Sequence, residues 1–303
     1  MSKSIIIRIF KFLIIFLSFW FIGEKFWLHH NWLLTSAINI ELIFTISLCS
    51  IIYAISEYIL SFAWRRLLMW CGHKKISINL SNSIYGKSQI AKYIPGNVFH
   101  VLGRHILGKE AGIKNLVLAG ATIYEILGLL SASILIGFSG MLIFGLGNIY
   151  FSSHQIILIL MFTLIANILI IASAPYFMRL RGITIPHHGI SNSLYNMIKI
   201  YLLYFIFFLI AGLLLAYIVK IFLDLDINIT GKLVVIFSIA WVAGFIIPGA
   251  PGGIGVREAV IIFFITPIVG EAQSVVVAVA LRFVTLLGDV WFFIFSNKRK
   301  LKE

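Results

Sequence analysis

The tripeptide Ile-Pro-Gly occurs twice within long apolar stretches of this chain, at positions 94–96 and 247–249. In each copy an arginine, Arg104 or Arg257, follows nine residues after the proline. Proline and glycine interrupt helices, because proline lacks the backbone N–H and glycine lacks steric restraint. Interrupted backbone at membrane depth persists only where protein or a polar cavity covers it. Two such interruptions at matching places in two halves of a chain indicate the binding site of a membrane transporter.

The composition is that of an integral membrane protein. The 303 residues are 61% hydrophobic and 12% charged, with a mean hydropathy of +1.05, whereas soluble domains carry about 25% charged residues. The net charge of +13 is attributed to basic residues that set the orientation of the chain in the membrane. Nucleic-acid binding is not indicated, because no basic stripe alternates with aromatic residues. The two cysteines belong to no CxxC pair, so we expect no disulfide, no metal site and no cofactor.

Six segments are long enough to span a membrane, which takes about 20 apolar residues. These segments are 5–23, 40–63, 116–146, 156–177, 198–222 and 275–295, and two more apolar stretches, 76–107 and 233–269, contain the interruptions. The sequence therefore predicts one all-α membrane domain over residues 1–303. It has six full transmembrane helices and two re-entrant hairpins of half-helices.

Basic residues predict the orientation, since Lys and Arg concentrate on the cytoplasmic side of membrane proteins. Lys3, Arg8 and Lys11 flank the first span, Arg65 and Arg66 follow the second, and a basic cluster closes the chain. We expect both termini in the cytoplasm and a multi-pass location in the inner (cytoplasmic) membrane of a bacterium. The first hairpin then enters from the inner face and the second from the outer face. Together with the 153-residue spacing of the motifs, this predicts an inverted repeat with halves at about 40–150 and 195–296.

The second motif predicts an anion site. A half-helix is expected to begin near Gly255, with free N–H groups and the positive end of its dipole turned toward the membrane interior. Arg257, in its first turn, adds a fork of donors suited to phosphate. The alternative is that Arg257 and Glu258 pair elsewhere and the glycines only shape a turn. The candidate binding residues here are Pro248, Gly249, Gly252, Gly253, Arg257 and Glu258.

The first motif is more polar. Arg104 lies one helical turn after His100, so the two side chains are expected to share a face. His100 is interpreted as a polar filler, because no second ligand is spaced to complete a metal site. The candidate binding residues here are Pro95, Gly96, Asn97 and Arg104.

Charged residues inside spans are costly and indicate function by default. Glu125 has no cationic partner in its own helix, so Arg282 or Arg257 must approach it, or it must stay protonated. A Glu125–Arg282 pair beside the cavity is the preferred prediction, with a purely structural ion pair as the alternative. Arg282 and Asp289 lie seven residues apart and are expected to face the same side.

Three further charged residues receive structural interpretations. Lys87 and Lys92 are expected to face the acidic lipid surface. Glu57, near the end of the second span, is expected to pair with Arg65 or Arg66.

Residues 92–104 and 248–258 resemble the two signatures of the lysylphosphatidylglycerol synthase transmembrane-region family. The resemblance in layout covers most of the chain. Family members include the flippase half of the multiple peptide resistance factor, which moves an aminoacylated phospholipid between leaflets. Others are standalone proteins or are attached to glycosyltransferases. The resemblance implies lipid handling, with Arg104, Arg257 and Glu258 at the motif positions, and envelope glycosyltransferases as partners. Since the chain ends shortly after the last span, no aminoacyl-transfer domain and no aminoacylation are expected.

The expected function is therefore translocation of an anionic phospholipid or a lipid-linked saccharide, without catalysis. The alternative is a membrane-embedded transferase acting on a polyprenyl-phosphate, with Glu125, Asp224 or Asp226 as its carboxylate. Further alternatives are a small-anion or proton-coupled transporter using Glu125 and Arg282, and a scaffold for glycosyltransferases that does not transport.

Overall fold

The computed structural model describes residues 40–73, 75–94, 98–146, 151–180, 190–223, 229–247 and 250–297, together with Glu24 and Trp27. Regular structure in these ranges is entirely helical, which confirms the all-α prediction. Short 3-10 turns occur at Ile90–Tyr93 and Pro251–Gly253. The helices are α1 (Ile40–Trp70), α2 (Ile78–Gln89), α3 (Phe99–Glu110), α4 (Asn115–Phe144), α5 (Ser153–Leu180), α6 (Ile190–Leu223), α7 (Thr230–Ile246), α8 (Val256–Val269) and α9 (Glu271–Asn297).

Five of these helices, α1, α4, α5, α6 and α9, contain apolar segments of 18 to 30 residues and are long enough to cross a membrane. They correspond to the second through sixth predicted spans, and the predicted span at 5–23 lies outside the described residues. Buried hydroxyl groups in them donate to carbonyls of the preceding turn, as Ser56 does to Tyr53 and Ser133 to Leu129. These hydroxyl groups are thus satisfied within their own helix, as a membrane interior requires.

The first hairpin consists of α2 and α3. The hydroxyl of Ser77 caps α2 by accepting the Leu80 N–H at 3.2 Å. The chain leaves the following 3-10 turn at Ile94, which is extended (φ −73°, ψ 132°), as expected for a residue before proline. Each helix has 12 residues, or about 18 Å, roughly half of a bilayer's hydrocarbon core.

The second hairpin consists of α7 and α8. Ile247, also before a proline, is extended at the end of α7 (φ −73°, ψ 114°). Gly252, Gly253 and Gly255 have φ of 57°, 74° and 86°, in the left-handed region that favours glycine. Helix α8 then begins at Val256, which confirms the half-helix predicted to start near Gly255.

Contacts between α1 and α9 show that these two helices run in the same direction. Gly288 packs against Tyr53, where an added Cβ would lie 2.6 Å from Tyr53 Cδ1. Further along, the rings of Tyr58 and Phe292 meet edge to face at 4.8 Å. Since residue numbers rise together in both helices, α1 and α9 are parallel. We call the end of the bundle at which both finish, beside Arg65 and Arg66, the basic end.

The two hairpins enter from opposite ends. Helix α2 is antiparallel to α1, because Asn82 contacts Ser61 and Gln89 contacts Glu57, so the first hairpin enters from the basic end. Helix α8 is antiparallel to α9, because Glu258 contacts Arg282 and Thr266 contacts Ser274. The second hairpin therefore enters from the other end, which confirms the predicted opposite directions. The order long helix, hairpin, long helix occurs in α1–α4 and again in α6–α9, as the predicted repeat requires.

Candidate functional site

The two interruptions meet beside the middle of α9. Tyr93, at the end of the first 3-10 turn, lies against Gly252, where an added Cβ would be 3.3 Å from Tyr93 Cε1. Arg282 donates from its Nη1 to the carbonyl oxygen of Gly252 at 3.3 Å. Arg282 is about 17 Å along α9 from Glu271, and Asp289 is about 12 Å from Asn297, since a helix rises 1.5 Å per residue. The meeting point is therefore about halfway through the bundle.

A cavity of about 80 Å³ lies at this meeting point. Such a volume can hold several waters or one small polar group, but it is below the roughly 300–1,000 Å³ typical of ligand pockets. Its charged and polar lining comes from both halves of the chain: Tyr53, Glu57, Tyr85, Gln89, Lys92, His100, Arg104, Glu125 and Arg257.

Arg104 belongs to a closed network of polar contacts. It is buried and forms an ion pair with Glu125, and its Nε donates to the Ser88 hydroxyl at 3.2 Å. The guanidinium lies 3.7 Å from the centre of the Tyr85 ring, whose hydroxyl donates to the other Glu125 oxygen at 2.8 Å. The predicted Glu125–Arg282 pair is therefore wrong. Helix α3 packs antiparallel to α4 and brings Arg104 to Glu125, whereas Arg282 lies on α9 and reaches a different carboxylate.

Asp289 joins the first interruption to α9. Lys92 Nζ lies 2.7 Å from one carboxylate oxygen of Asp289, and the Tyr93 hydroxyl donates to the other. Lys92 therefore does not face the lipid surface as predicted, because it meets the fully buried Asp289 instead. The Arg282 guanidinium is 5.5 Å from the Tyr93 ring, so Arg282 and Asp289 share a face of α9, as predicted. Lys87 is exposed, and its lipid contact stays a prediction.

Glu258 occupies the N-terminus of α8. One of its carboxylate oxygens accepts the Gly255 N–H at 2.5 Å, and the other lies 3.5 Å from Arg282 Nη1. The N-terminus predicted to offer free N–H groups to an anion thus already holds the chain's own carboxylate. Glu258 pairs with Arg282 and not with Arg257, as the alternative interpretation required for this carboxylate.

Arg257 forms neither an ion pair nor a hydrogen bond with any residue that the structure describes, and its Nε is buried. Its guanidinium lies 5.6 Å from the centre of the Trp241 ring. The side chain packs on Gly244 and Gly253, where an added Cβ would lie 2.5 and 2.6 Å from its Cγ and Nε. Arg257 lines the main cavity and also a smaller one of about 20 Å³ shared with Arg282. It is therefore a half-buried cation with no ion-pair partner in the described part of the chain.

Glu57 is a buried carboxylate of the site that the sequence analysis did not include among the site residues. It is 1% exposed and accepts a hydrogen bond from Gln89 Nε2 at 2.6 Å. The predicted pairing with Arg65 or Arg66 is wrong, because Arg65 donates to the Ile76 carbonyl at 2.8 Å and the Arg66 guanidinium lies over a phenyl ring. Within the described ranges Glu57 has no ion-pair partner.

The polar residues that sequence reasoning missed follow helical spacing. Tyr53 and Glu57 lie four apart on α1, and Tyr85 and Gln89 lie four apart on α2, so each pair occupies one helical face. This spacing was the available signal, and it was clearest in the apolar helix α1. Trp241 gave no such signal, because tryptophan in a span is also typical of lipid contact.

Several predicted site residues lie outside the described residues: Pro95, Gly96, Asn97, Pro248 and Gly249, and also Asp224 and Asp226. His100 lines the main cavity, and its buried Nδ1 has no hydrogen-bond partner in the described ranges. In the part of the chain that the structure describes, no three His, Cys, Asp or Glu side chains are placed to hold a metal ion.

Comparison of the chain with family models, with curated proteins and with solved structures gave no match. The resemblance to the lysylphosphatidylglycerol synthase transmembrane-region family therefore rests on the two motifs alone.

Proposed function

We propose that this protein translocates a lipid with a phosphate head group, an anionic phospholipid or a lipid-linked saccharide, between the leaflets of a bacterial cytoplasmic membrane. The observation that carries the proposal is the half-buried side chain of Arg257 where the two hairpins meet, whose buried Nε has no acceptor among the described residues. An isolated buried charge is costly unless a partner neutralises it. A bound phosphate would supply that partner.

The donors that remain unused near Arg257 suit an anion with several oxygens. Arg282 shares the smaller cavity with Arg257, and its Nε and Nη2 are also buried without acceptors in the described residues. Guanidinium groups bind phosphate through paired, charge-assisted hydrogen bonds. Arg257 and Arg282 together can therefore satisfy two phosphate oxygens.

Helix α3 favours a lipid over a water-soluble anion. His100, Val101 and Arg104 on α3 line the cavity. On the same helix, Leu102 and Ile106 expose 50% and 58% of their surfaces. An acyl or prenyl tail can lie along this exposed apolar side while the head group enters the cavity, whose small volume suits a head group better than a whole lipid.

The opposed hairpins provide a route from each end of the bundle to the same midpoint. We propose that each hairpin in turn admits the head group, so that the site opens to one leaflet at a time. The motif resemblance to the lysylphosphatidylglycerol synthase transmembrane-region family supports this reading. We propose that both termini lie in the cytoplasm and that the basic end is at the inner surface of the membrane, because Lys and Arg concentrate on that side.

The transferase alternative is less favoured by the contacts. Its candidate carboxylate within the described residues, Glu125, is already engaged by Arg104 and Tyr85. Loss of turnover in Glu125→Gln with lipid binding retained would favour the transferase.

Vesicles of phosphatidylcholine containing fluorescent phosphatidylglycerol test the proposal, with a quencher added outside to count lipid that has changed leaflet. Wild type and Arg66→Gln, a matched loss of charge outside both cavities, should exchange the lipid. Arg257→Gln should match vesicles without protein. The proposal fails if Arg257→Gln is as active as wild type. It also fails if wild type matches empty vesicles with both phosphatidylglycerol and a polyprenyl-phosphate-linked sugar.

A further inference from the structure

Among the described residues, the charges around the cavity form three pairs and leave two groups unpaired. Each paired cation lies beside its own carboxylate, in the pairs Lys92–Asp289, Arg104–Glu125 and Arg282–Glu258. Arg257 and Glu57 remain without ion-pair partners in the described ranges, and both line the same cavity, from α8 and α1. With every group ionised, the site is electrically balanced.

Entry of a singly charged phosphate disturbs this balance. The phosphate neutralises Arg257, and the carboxylate of Glu57 then becomes an uncompensated negative charge in a buried site. Charges interact far more strongly there than in water. A proton on Glu57 removes that charge and restores neutrality.

We infer that a phosphate head group binds at Arg257 together with one proton, which is held by Glu57. The proton is taken up from a hydronium ion of the solvent, which becomes water, and bonds to a carboxylate oxygen of Glu57; it returns to solvent water as hydronium when the head group leaves. This inference rests on the proposed function and adds to it a coupling of lipid translocation to proton movement.

Glu57 suits this role better than the other carboxylates of the site. In Glu125 and Asp289, one carboxylate oxygen is already engaged by a cation and the other by a tyrosine hydroxyl. Glu57 has one hydrogen bond to Oε2, from the neutral amide of Gln89, so Oε1 can carry the proton. The charged and titratable groups that face it are Tyr53 on α1, Tyr85 on α2, Lys92 on the 3-10 turn, His100 and Arg104 on α3, Glu125 on α4, Arg257 on α8 and Asp289 on α9.

The test measures binding of dihexanoyl phosphatidylglycerol to the purified full chain as a function of pH. A phosphodiester keeps a single charge between about pH 5.5 and 8.5, whereas a phosphomonoester titrates near pH 6. Above the pH at which free Glu57 ionises, the wild-type Kd should rise by up to about tenfold per pH unit. In Glu57→Gln, which retains an acceptor for Gln89, the Kd should be independent of pH. Glu110→Gln, the same loss of charge at an exposed site, should keep the wild-type slope.

A second measurement follows proton uptake in weak buffer when the same lipid is added. Wild type should take up as much as about one proton per lipid bound, and Glu57→Gln none. A slope that persists in Glu57→Gln, or wild-type binding without proton uptake, overturns the inference. If Glu57→Gln fails to fold, wild-type proton uptake decides alone.

Failure of the proposed function gives a different result. If wild type binds the lipid without pH dependence and Arg257→Gln does not bind it, the phosphate site stands and the proton coupling is wrong. If wild type and Arg257→Gln bind equally at all pH values, the phosphate site itself is wrong, and the coupling fails with it.

Discussion

The two hairpins carry an arginine at the same distance after their prolines, yet the two arginines differ in their contacts. Arg104, in the first hairpin, is buried between Glu125, the Ser88 hydroxyl and the Tyr85 ring. Arg257, in the second, has no acceptor among the described residues and faces Trp241. The position in the motif sets where each arginine lies, whereas the neighbouring helix determines whether its charge remains available.

The helices packed against each hairpin explain the difference. Helix α4 presents Glu125 to the first hairpin, so Arg104 meets a carboxylate directly. Helix α9 presents a cation, Arg282, to the second, and that cation binds Glu258. The carboxylate next to Arg257 in sequence is thus already used. Under our proposal, the first arginine stabilises the fold and the second binds the ligand.

The largest expected effect is a difference in protein stability between substitutions of the two arginines. Arg104→Gln should lower the free energy of unfolding by about 3–5 kcal/mol, because it leaves Glu125 buried without its cation. Arg257→Gln should cause no loss. Thermal unfolding in detergent measures both, and the double variant Arg104→Gln/Glu125→Gln should recover part of the stability. If Arg104→Gln and Arg257→Gln lost equal stability, the claim that only Arg104 stabilises the fold would be wrong.

A smaller effect is expected at Gly253, one of the two glycines that contact Arg257. Gly253→Ala should cost about 1–2 kcal/mol of stability, because φ is 74° there, and should also weaken phospholipid binding by displacing Arg257 Nε, 2.6 Å from the new Cβ. Gly112→Ala is the matched control, with φ of 78° and no atom within 4 Å of an added Cβ. It should lose similar stability and bind lipid normally. Equal binding by the two variants would argue against an Arg257 site.

Tyr93→Phe tests the contact between the first interruption and α9. It removes the hydroxyl donated to Asp289 and should cost about 0.5–1.5 kcal/mol. Tyr217→Phe, at an exposed position on α6, should have no effect on thermal unfolding. If the two variants unfold alike, Tyr93 does not hold the first hairpin to the last helix.

The opposite entry of the hairpins can be tested with no expected energetic cost. Cys49 and Cys71 are buried, and burial raises the pKa of the Cys71 thiol to about 12, so neither should react with an impermeant maleimide. Glu110→Cys places an exposed thiol at the end of the bundle where the first hairpin enters, and Glu271→Cys places one at the opposite end, where the second hairpin enters. In intact cells only Glu271→Cys should be labelled. Labelling of both variants from one side would show that the hairpins enter from the same face.

Much of this fold could be predicted from the sequence. Long apolar runs located the five described spans, and the basic residues that follow them led to the opposed hairpin directions. The start of α8 near Gly255 followed from the glycines before it, and the shared face of Arg282 and Asp289 from their seven-residue spacing. All of these depend on local composition or on one helix at a time.

The pairing of charges could not be predicted in the same way. Whether Glu125 meets Arg104 or Arg282 depends on which helices pack together, and all three lie on different helices. Glu57 was assigned to the nearest basic residues in sequence, but α2 packs on α1 and supplies Gln89 instead. Arg257 has no ion-pair partner among the described residues because helix packing brings Glu258, its neighbour in sequence, to Arg282 instead.

The most direct test of the role of Arg257 is the lipid that remains bound to the purified protein. Native mass spectrometry would compare wild type, Arg257→Gln and the charge-neutral double variant Arg104→Gln/Glu125→Gln. We predict that wild type and the double variant retain a phosphate-containing lipid and that Arg257→Gln loses it. Retention of the same lipid by Arg257→Gln, with loss from the double variant, would place the phosphate at the first hairpin and contradict the account.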